Sequence, residues 1–326
     1  MTSIMQASKT FIFEDDRPFP SCHAATLIVL PDGDVLAAWF GGTREKANDV
    51  AIWLSRLASG VRAWSTPTRI ADEEGIAHWN PVLFRNRQGD IYLYYKVGHE
   101  IPDWFTRAIV SRDGGYRWSE PWELVPGDVG GRGPVKNKPV ELTDGTILAP
   151  ASLETETEWD AFADISRDGG LSWEASAIVP LDRSSFSGKG IIQPTIWESA
   201  PGRAHMLLRS TDGAVYRSDS DDGGRTWARA YATSLPNNNS GIDLCRTDFG
   251  LLALVYNPIS GDWAARTPLS MAFSADNGAT WGDAFIFEHE PGEYSYPAIV
   301  ADGSSLHIVY TWNRERIAYW KVTLAK

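Results

Sequence analysis

Six polar residues stand at the same phase of the chain, each just before an extended apolar run. They are His23, Asn80, Lys138, Gln193, Ser240 and Tyr296, and four of the six precede a proline. If these runs surround a common axis, the side chains form a ring at which a ligand could bind. The alternative is that they cap strand ends and pair with otherwise unbonded backbone groups.

Basic residues accompany this ring. They are Lys96 and Arg209, at matching places late in two apolar runs, Lys136 and Lys138 on either side of Asn137, and Arg266 at the start of another run. A cluster of cations would concentrate an anionic group at one face of the molecule. Because arginine binds a carboxylate through two parallel hydrogen bonds, we expect a carboxylate-bearing sugar as ligand. Scattered surface charges are the alternative.

Overall charge and composition restrict the partners. The chain has 30 Lys and Arg against 42 Asp and Glu, a formal net charge of −12, which disfavours nucleic acid and membranes as partners. An acidic glycan or oligosaccharide is expected instead. Cys22 and Cys245 form no disulfide framework or zinc-ligand spacing, so no metal or cofactor is expected. Residues 1–16 lack the basic and apolar regions of a secretory signal, which predicts a cytoplasmic protein.

An octet repeat shows which elements must position these residues. It reads Ser-Arg-Asp-Gly-Gly-Tyr-Arg-Trp at residues 111–118 and recurs in similar form at 166–173, 220–227 and 274–281, with a decayed copy at 55–64. Its tryptophans are Trp64, Trp118, Trp173, Trp227 and Trp281, spaced by 54, 55, 54 and 54 residues. A period of that length in 326 residues indicates six units.

Each unit predicts four strands. An apolar run, an Asp-Gly turn and a second run form a hairpin, as around Asp144-Gly145; a third run enters the octet and a fourth leaves it. Four antiparallel strands in each of six units predict an all-β, six-bladed β-propeller. We expect a single domain over residues 1–326, with residues 1–9 as a loosely ordered tail.

The octet is identified as an Asp-box, and the chain resembles the sialidase-like propellers that carry Asp-box (BNR) repeats. The resemblance implies that the boxes lie between the third and fourth strands at the outer rim, away from the ligand. Sialidases bind the substrate carboxylate with three arginines and use a Tyr nucleophile paired with a Glu, and an Asp as acid/base. By this resemblance Arg209 and Arg266 match the second and third arginines, and Tyr294 matches the nucleophile.

The chain departs from the family pattern at two places, His23 and Gln193. His23, in Phe19-Pro-Ser-Cys-His23, stands where the family has its first arginine. Gln193 stands where the Glu partner of the nucleophile is expected, and the loop 41–49 stands where the acid/base Asp belongs. Within that loop we expect Glu45 to be the acid and Asp49 to be a structural partner.

Three functions remain open. In an exo-acting glycoside hydrolase, Tyr294 would attack the anomeric carbon and Glu45 would protonate the leaving oxygen. In a uronate lyase, cationic and amide groups would neutralise the carboxylate while His23, His78, Tyr294 or Tyr296 removes the C5 proton. In a non-catalytic glycan-binding propeller, Trp39, Trp79 and Trp312 would stack on sugars.

The predicted site follows from the first two functions. Its catalytic residues are Tyr294, Glu45, His23 and Gln193. Its substrate-binding residues are Arg209, Arg266, Lys138, Asn137, Lys96, Asn80, Tyr296 and Trp79.

Overall fold

The computed structural model describes residues 3–282 and 284–325, and within them it contains six four-stranded antiparallel sheets and one short 3₁₀ helix. In chain order the elements are β1 (Ser3–Phe11), β2 (Ser21–Val29), β3 (Val35–Gly42), β4 (Ala51–Leu57), β5 (Thr68–Ala71), β6 (His78–Arg85), β7 (Ile91–Val97), the helix (Ile101–Asp103), β8 (Phe105–Ser111), β9 (Trp122–Glu123), β10 (Val140–Glu141), β11 (Ile147–Glu154), β12 (Trp159–Ser166), β13 (Glu174–Ala175), β14 (Ile191–Ala200), β15 (Arg203–Ser210), β16 (Ala214–Ser220), β17 (Tyr231–Pro236), β18 (Asp243–Arg246), β19 (Leu252–Tyr256), β20 (Leu269–Ser274), β21 (Phe285–Glu288), β22 (Tyr294–Asp302), β23 (Ser305–Trp312) and β24 (Arg316–Ala325).

Each sheet is one blade of a six-bladed propeller, as predicted. Blades I to V take four consecutive strands, from β2–β5 to β18–β21. The first strands of neighbouring blades contact one another, as β2 contacts both β6 and β22, so they surround the axis. The second strands β3 and β7 are buried along their whole length, which explains their nearly continuous apolar sequences.

Blade VI joins the two ends of the chain. It consists of β22, β23 and β24, with β1 as its outer strand paired antiparallel to β24. The expectation of a loosely ordered tail over residues 1–9 is therefore wrong from Ser3 onwards. Pairing with β24 satisfies the backbone of this segment, and Phe11 packs edge-on against Trp312 at 5.3 Å between ring centroids.

The Asp-boxes form the turns between third and fourth strands. In the box after β12, Ser166 Oγ accepts a hydrogen bond from Gly170 N at 2.8 Å, and Asp168 Oδ1 accepts from Ser172 N at 2.9 Å. The glycine at the fifth position of each octet has a positive φ and packs against the preceding blade. A Cβ at Gly115 (φ 87°) would lie 2.6 Å from Leu36 Cδ1. These contacts explain the box as a structural repeat.

A β-bulge interrupts four of the first strands. The register with the second strand shifts within β2, β6, β14 and β22. The shifts occur at residues with positive φ: Ala24 (54°), Asn80 (41°), Gln193 (51°) and Tyr296 (53°). Ala24, rather than His23, is thus equivalent to Asn80, which corrects the predicted ring by one residue in blade I. Bulges of this kind redirect side chains, here towards the axis.

Candidate functional site

A cavity of about 490 Å³ opens at the end of the propeller where the first strands begin. It is lined by His23, Glu45, Lys46, Trp79, Asn80, Ile101, Trp104, Glu154, Trp159, Gln193, Arg209, Trp263, Arg266, Tyr296 and Arg314. Eight of the predicted site residues are in this set: His23, Glu45, Trp79, Asn80, Gln193, Arg209, Arg266 and Tyr296. The fold therefore brings together residues from all six blades.

Tyr296 is the centre of the polar contacts in this cavity. Its Oη accepts hydrogen bonds from Arg209 Nη1 at 2.9 Å and from Gln193 Nε2 at 3.3 Å. The guanidinium carbons of Arg209 and Arg266 lie 5.8 and 5.7 Å from the centroid of its ring. Negative charge that develops on the phenolic oxygen during a reaction would be stabilised by these donors and cations.

Arg209 is held rigidly at the end of β15. Its Nε donates to Asn239 Oδ1 at 2.7 Å and its Nη1 donates to Gln193 Oε1 at 3.1 Å. The rings of Trp159 and Trp263 each lie 5.7 Å from its guanidinium carbon. Because Arg209 is only 2% exposed, its orientation is determined by these neighbours before a ligand arrives.

Two more arginines reach the cavity from blades V and VI. Arg266 Nη1 and Arg314 Nε each donate to Glu293 Oε1 at 2.7 Å. Burial opposes ionisation of Glu293, but the charges of Arg314 and Arg266 outweigh it and lower the pKa of that carboxyl. Arg314 Nη1 also donates to Glu45 Oε2 at 2.5 Å. One partly buried carboxylate thus positions two arginines side by side.

His23 packs against the ring of Tyr296. The ring centroids of His23 and Tyr296 are 4.2 Å apart, and His23 Nδ1 lies 2.9 Å from Thr311 Oγ1. Burial, reinforced by the charges of Arg314 and Arg266, holds the pKa of His23 well below its ordinary value. The imidazole is therefore neutral at physiological pH and leaves the positive charge of the cavity to the arginines.

Lys136 lies beneath Tyr296. Its Nζ donates to Asn137 Oδ1 at 2.8 Å, to Ile242 O at 3.0 Å and to Pro297 O. Burial lowers the pKa of this amine to about 7. Since the Pro297 carbonyl follows the bulge at Tyr296, Lys136 supports the conformation that turns Tyr296 towards the cavity.

Glu154 is the second carboxyl at the cavity besides Glu45. It ends β11, is 8% exposed, and accepts one weak contact from Ser152 Oγ at 3.4 Å. Burial raises the pKa of Glu154, although Arg209 and Lys96 act in the opposite direction. A carboxyl with a raised pKa retains its proton to higher pH, which suits a proton donor.

The predicted nucleophile, Tyr294, is not among the residues that line the cavity. Its ring lies beside Trp312, 6.4 Å between centroids, and the acidic Glu288 and Glu290 affect it electrostatically. In a regular strand, residues two apart share a face. The bulge at Ser295–Ala298 breaks this rule, so Tyr296 alone reaches the cavity.

Three predicted ligand-binding residues bond to other groups of the protein and do not line the cavity. Lys96 Nζ donates to Arg132 O at 2.7 Å, Lys138 Nζ to Asp243 Oδ2 at 2.8 Å, and Asn137 Nδ2 to Pro194 O at 2.9 Å. Lys96 does occupy the position equivalent to Arg209, opposite Trp79 in β6 as Arg209 is opposite Ile192 in β14. The lysine side chain is shorter than that of arginine, and its amine bonds to the Arg132 carbonyl before it reaches the cavity.

Other candidates from the sequence also have structural roles. His78 Nε2 accepts from Glu73 N at 3.1 Å, Ser240 is fully buried, and Trp39 is completely buried in the core of blade I. Asp49 holds its loop closed by accepting from Thr43 N at 3.0 Å, in line with the structural role expected for it. Trp312 packs between Phe11 and Tyr294.

Sequence reasoning missed seven of the described residues that line the cavity: Lys46, Ile101, Trp104, Glu154, Trp159, Trp263 and Arg314. Arg314 (φ 58°) lies in the turn between β23 and β24, where its carbonyl accepts from Cys22 N at 2.8 Å. That contact brings Arg314 next to β2, the strand that carries His23. The Asn313-Arg314 pair in the last unit could have indicated a turn with an arginine in it. It lies outside the repeated octet, so the repeat did not draw attention to it.

No group of His, Cys, Asp or Glu side chains with the geometry of a metal site occurs among residues 3–282 and 284–325. Over the same residues, no helix has the length and apolar character needed to cross a membrane.

Comparison with known proteins places the chain among repeat-containing propellers. The BNR repeat-like domain family matches residues 33–308. A sialidase of Micromonospora viridifaciens is 22% identical, over 87% of this chain and 48% of that protein. The chain therefore spans about half the length of this curated relative.

Solved structures show the same fold. A protein of unknown function from Dyadobacter fermentans superposes with a TM-score of 0.78 at 15% identity, covering 99% of both chains. The Hadza microbial sialidase Hz136 gives 0.80 at 17%, covering 98% of this chain and 68% of that one. Trypanosoma rangeli sialidase in complex with the inhibitor DANA gives 0.76 at 12%, covering 98% and 60%.

Proposed function

The chain belongs to the sialidase-like BNR-repeat propellers, and from this premise we propose that it is an exo-acting glycosidase that releases a carboxylate-bearing sugar from the end of a glycan. The observation that carries the proposal is the convergence of Arg209, Arg266 and Arg314 on one cavity around Tyr296. Each arginine already has a fixed partner, Asn239 for Arg209 and Glu293 for the other two.

Carboxylate recognition follows from the arginines. A planar guanidinium binds both oxygens of a carboxylate, and three of them provide more donors than one carboxylate requires. Two of the three share Glu293, whose single negative charge leaves the group with net positive charge. An acidic sugar would therefore be held by its carboxylate, with its ring over Tyr296.

Tyr296 is the proposed nucleophile in place of Tyr294. A carboxylate nucleophile would be repelled by the acidic substrate, whereas a phenol is neutral before it reacts. In the proposed reaction its proton passes to water before its oxygen attacks the anomeric carbon. Arg209 and Gln193, both donors to that oxygen, stabilise the charge that appears there. Covalent attack followed by hydrolysis predicts net retention of configuration.

A uronate lyase is the second candidate because no carboxylate bonds to the hydroxyl of Tyr296 in the described residues. The amide of Gln193, which donates to the Tyr296 hydroxyl, is not basic enough to take its proton. Neutral His23 packs against the ring of the same tyrosine. In elimination, the arginines would neutralise the carboxylate and Tyr296 or His23 would remove the C5 proton. The electron pair would form the C4–C5 double bond as the C4–O bond breaks, and the other of the two residues would give a proton to the leaving oxygen, so no water is added.

Parallel assays distinguish the candidates. The protein is incubated with sialosides and with uronate-terminated oligosaccharides, and products are followed by mass and by ultraviolet absorbance. We expect hydrolysis, in which the products together gain the mass of one water and no new ultraviolet absorbance appears. An unsaturated product without added water would establish the lyase instead. Saturable binding without turnover of any acidic glycan would refute both enzymatic functions and favour a glycan-binding propeller.

A further inference from the structure

A groove leaves the central cavity above blades II and III. Its volume is about 710 Å³. It shares Ile101, Glu154 and Trp159 with the cavity, so the two spaces adjoin at these side chains. The remaining lining residues are Glu100, Pro102, Asp103, Thr155, Glu156, Thr157 and Lys189. If a terminal sugar is bound in the cavity, the rest of its glycan can therefore extend along this groove.

The charges of the two spaces are opposite. The cavity contains Arg209, Arg266 and Arg314, whereas four carboxyls and one amine, that of Lys189, line the groove. One of these carboxyls, Glu100, is paired with Lys46 at 2.7 Å. A ligand that fills both spaces therefore carries its anionic group at the cavity end and is neutral or cationic along the groove.

Glu154 lies where the two spaces meet. Among the described residues it is the one carboxyl that lines both spaces. It is more than nine-tenths buried, and the hydrogen bond that it accepts from Ser152 Oγ is long at 3.4 Å. Burial raises its pKa. Glu45 does not line the groove, its side chain is 40% exposed, and it is ion-paired with Arg314 at 2.5 Å.

We propose that Glu154 is the general acid of the reaction and that the groove holds the leaving part of the glycan, an inference that rests on the proposed glycosidase function. As the bond between the anomeric carbon and the leaving oxygen breaks, the electron pair stays on that oxygen, which takes the proton of Glu154. Tyr296 Oη forms the new bond to carbon. In the second step the Glu154 carboxylate takes a proton from water, whose oxygen displaces Tyr296 from the sugar.

Leaving groups of different basicity test the role of Glu154. A nitrophenolate leaves without a proton, whereas a sugar hydroxyl requires one. We expect Glu154→Gln to reduce kcat/KM for an acidic disaccharide by a factor of about 10² to 10⁴. The kcat/KM of the nitrophenyl glycoside, which reports only the step that releases nitrophenolate, should stay within about threefold of wild type, which would also show that the variant is folded. Its kcat should fall, because the second step loses the group that takes a proton from water.

The control is Glu158→Gln, on the same turn between β11 and β12 but exposed and outside both spaces. It should leave both substrates unaffected. Equal losses with both substrates in Glu154→Gln, or no loss with either, would overturn the role of Glu154 while leaving the glycosidase intact. A wild-type protein that cleaves neither acidic glycoside would remove the proposed function and this inference together.

Sulfation of the second sugar tests the groove. Like charges brought together at an interface are unfavourable, so a sulfate there should lower kcat/KM by about tenfold. Glu156→Gln should recover part of this loss, because Glu156 is an exposed groove carboxyl. Equal rates for sulfated and unsulfated substrates in the wild type would show that the leaving part does not occupy the groove.

Discussion

Two tyrosines two positions apart have different surroundings. Tyr296 contacts Arg209 and Gln193, whereas Tyr294 lies beside Trp312 outside the cavity. We expect Tyr296→Phe to lower kcat by about 10³ or more, because a phenyl ring cannot form the covalent bond. Tyr294→Phe should retain most activity. Steady-state kinetics of both variants on an acidic aryl glycoside test this. A large loss of kcat in Tyr294→Phe with little loss in Tyr296→Phe would make Tyr294 the nucleophile.

Arg314 lies in the cavity beside the first strand, β2, where the family pattern leads us to expect an arginine and the chain has His23. Its removal deletes a charged donor to the substrate carboxylate and leaves Glu293 with one arginine fewer. A hydrogen bond to a charged group contributes about 1.5–3 kcal/mol, so Arg314→Ala should raise KM by roughly 10- to 100-fold.

Arg17→Ala provides the comparison for Arg314. Arg17 precedes the same first strand and pairs with Asp15 at 3.1 Å, but it is not a cavity residue. Its KM should equal that of the wild type. If both variants bind an acidic substrate equally well, Arg314 is not a carboxylate ligand.

At the scale of elements, the Asp-box should contribute to stability and not to activity. Asp168 Oδ1 accepts from Ser166 Oγ, Leu171 N and Ser172 N. Hydrogen bonds, first those from Ser172, lower the pKa of Asp168 to about 2. Asp168→Ala should therefore cost about 1 kcal/mol of unfolding free energy at neutral pH, the size of a lost capping interaction at an exposed turn.

The pH dependence of this loss has a definite sign. A lowered carboxyl pKa stabilises the fold above the ordinary value near 3.8, and the contribution disappears as pH falls towards about 2. Denaturant unfolding at several pH values should show the wild type and Asp168→Ala converging in acid, with unchanged kcat/KM at neutral pH. A large loss of activity would contradict the structural role of the box.

The repeat and the bulges differ in how much the sequence reveals. The Asp-boxes and Asp-Gly turns predict six blades because each depends on a local backbone conformation. The X-Pro pairs mark three of the four bulges, at Asn80, Gln193 and Tyr296. The direction in which a bulge turns a side chain depends on φ, so the sequence could not separate Tyr294 from Tyr296. Glu154 was part of an acidic run whose position over the groove depends on packing between blades.

At the scale of the whole molecule, β1 closes the ring. It covers the edge of β24, and the turn before β24 carries Arg314. On its other side β24 pairs with β23, which in turn pairs with β22, the strand that carries Tyr296. Removing residues 3–10 should expose this edge and cost several kcal/mol, which corresponds to roughly 10 °C in Tm for a large domain. Met5→Ala, at a position 70% exposed in the same strand, should change little. A truncated protein with wild-type Tm and activity would show that closure is not needed to hold the site.

The central claim is that Tyr296 forms a covalent bond to an acidic sugar inside a cationic cavity. A fluorine-substituted acidic glycosyl fluoride, which reacts with the nucleophile but is hydrolysed slowly, tests it directly when the labelled protein is digested and the modified residue is located by mass spectrometry. The label should be found on Tyr296 and should be absent from Arg209→Ala, which lacks the donor to its oxygen. A label on Tyr294 or on a carboxylate, or complete hydrolysis of acidic glycosides with inversion of configuration, would contradict the account.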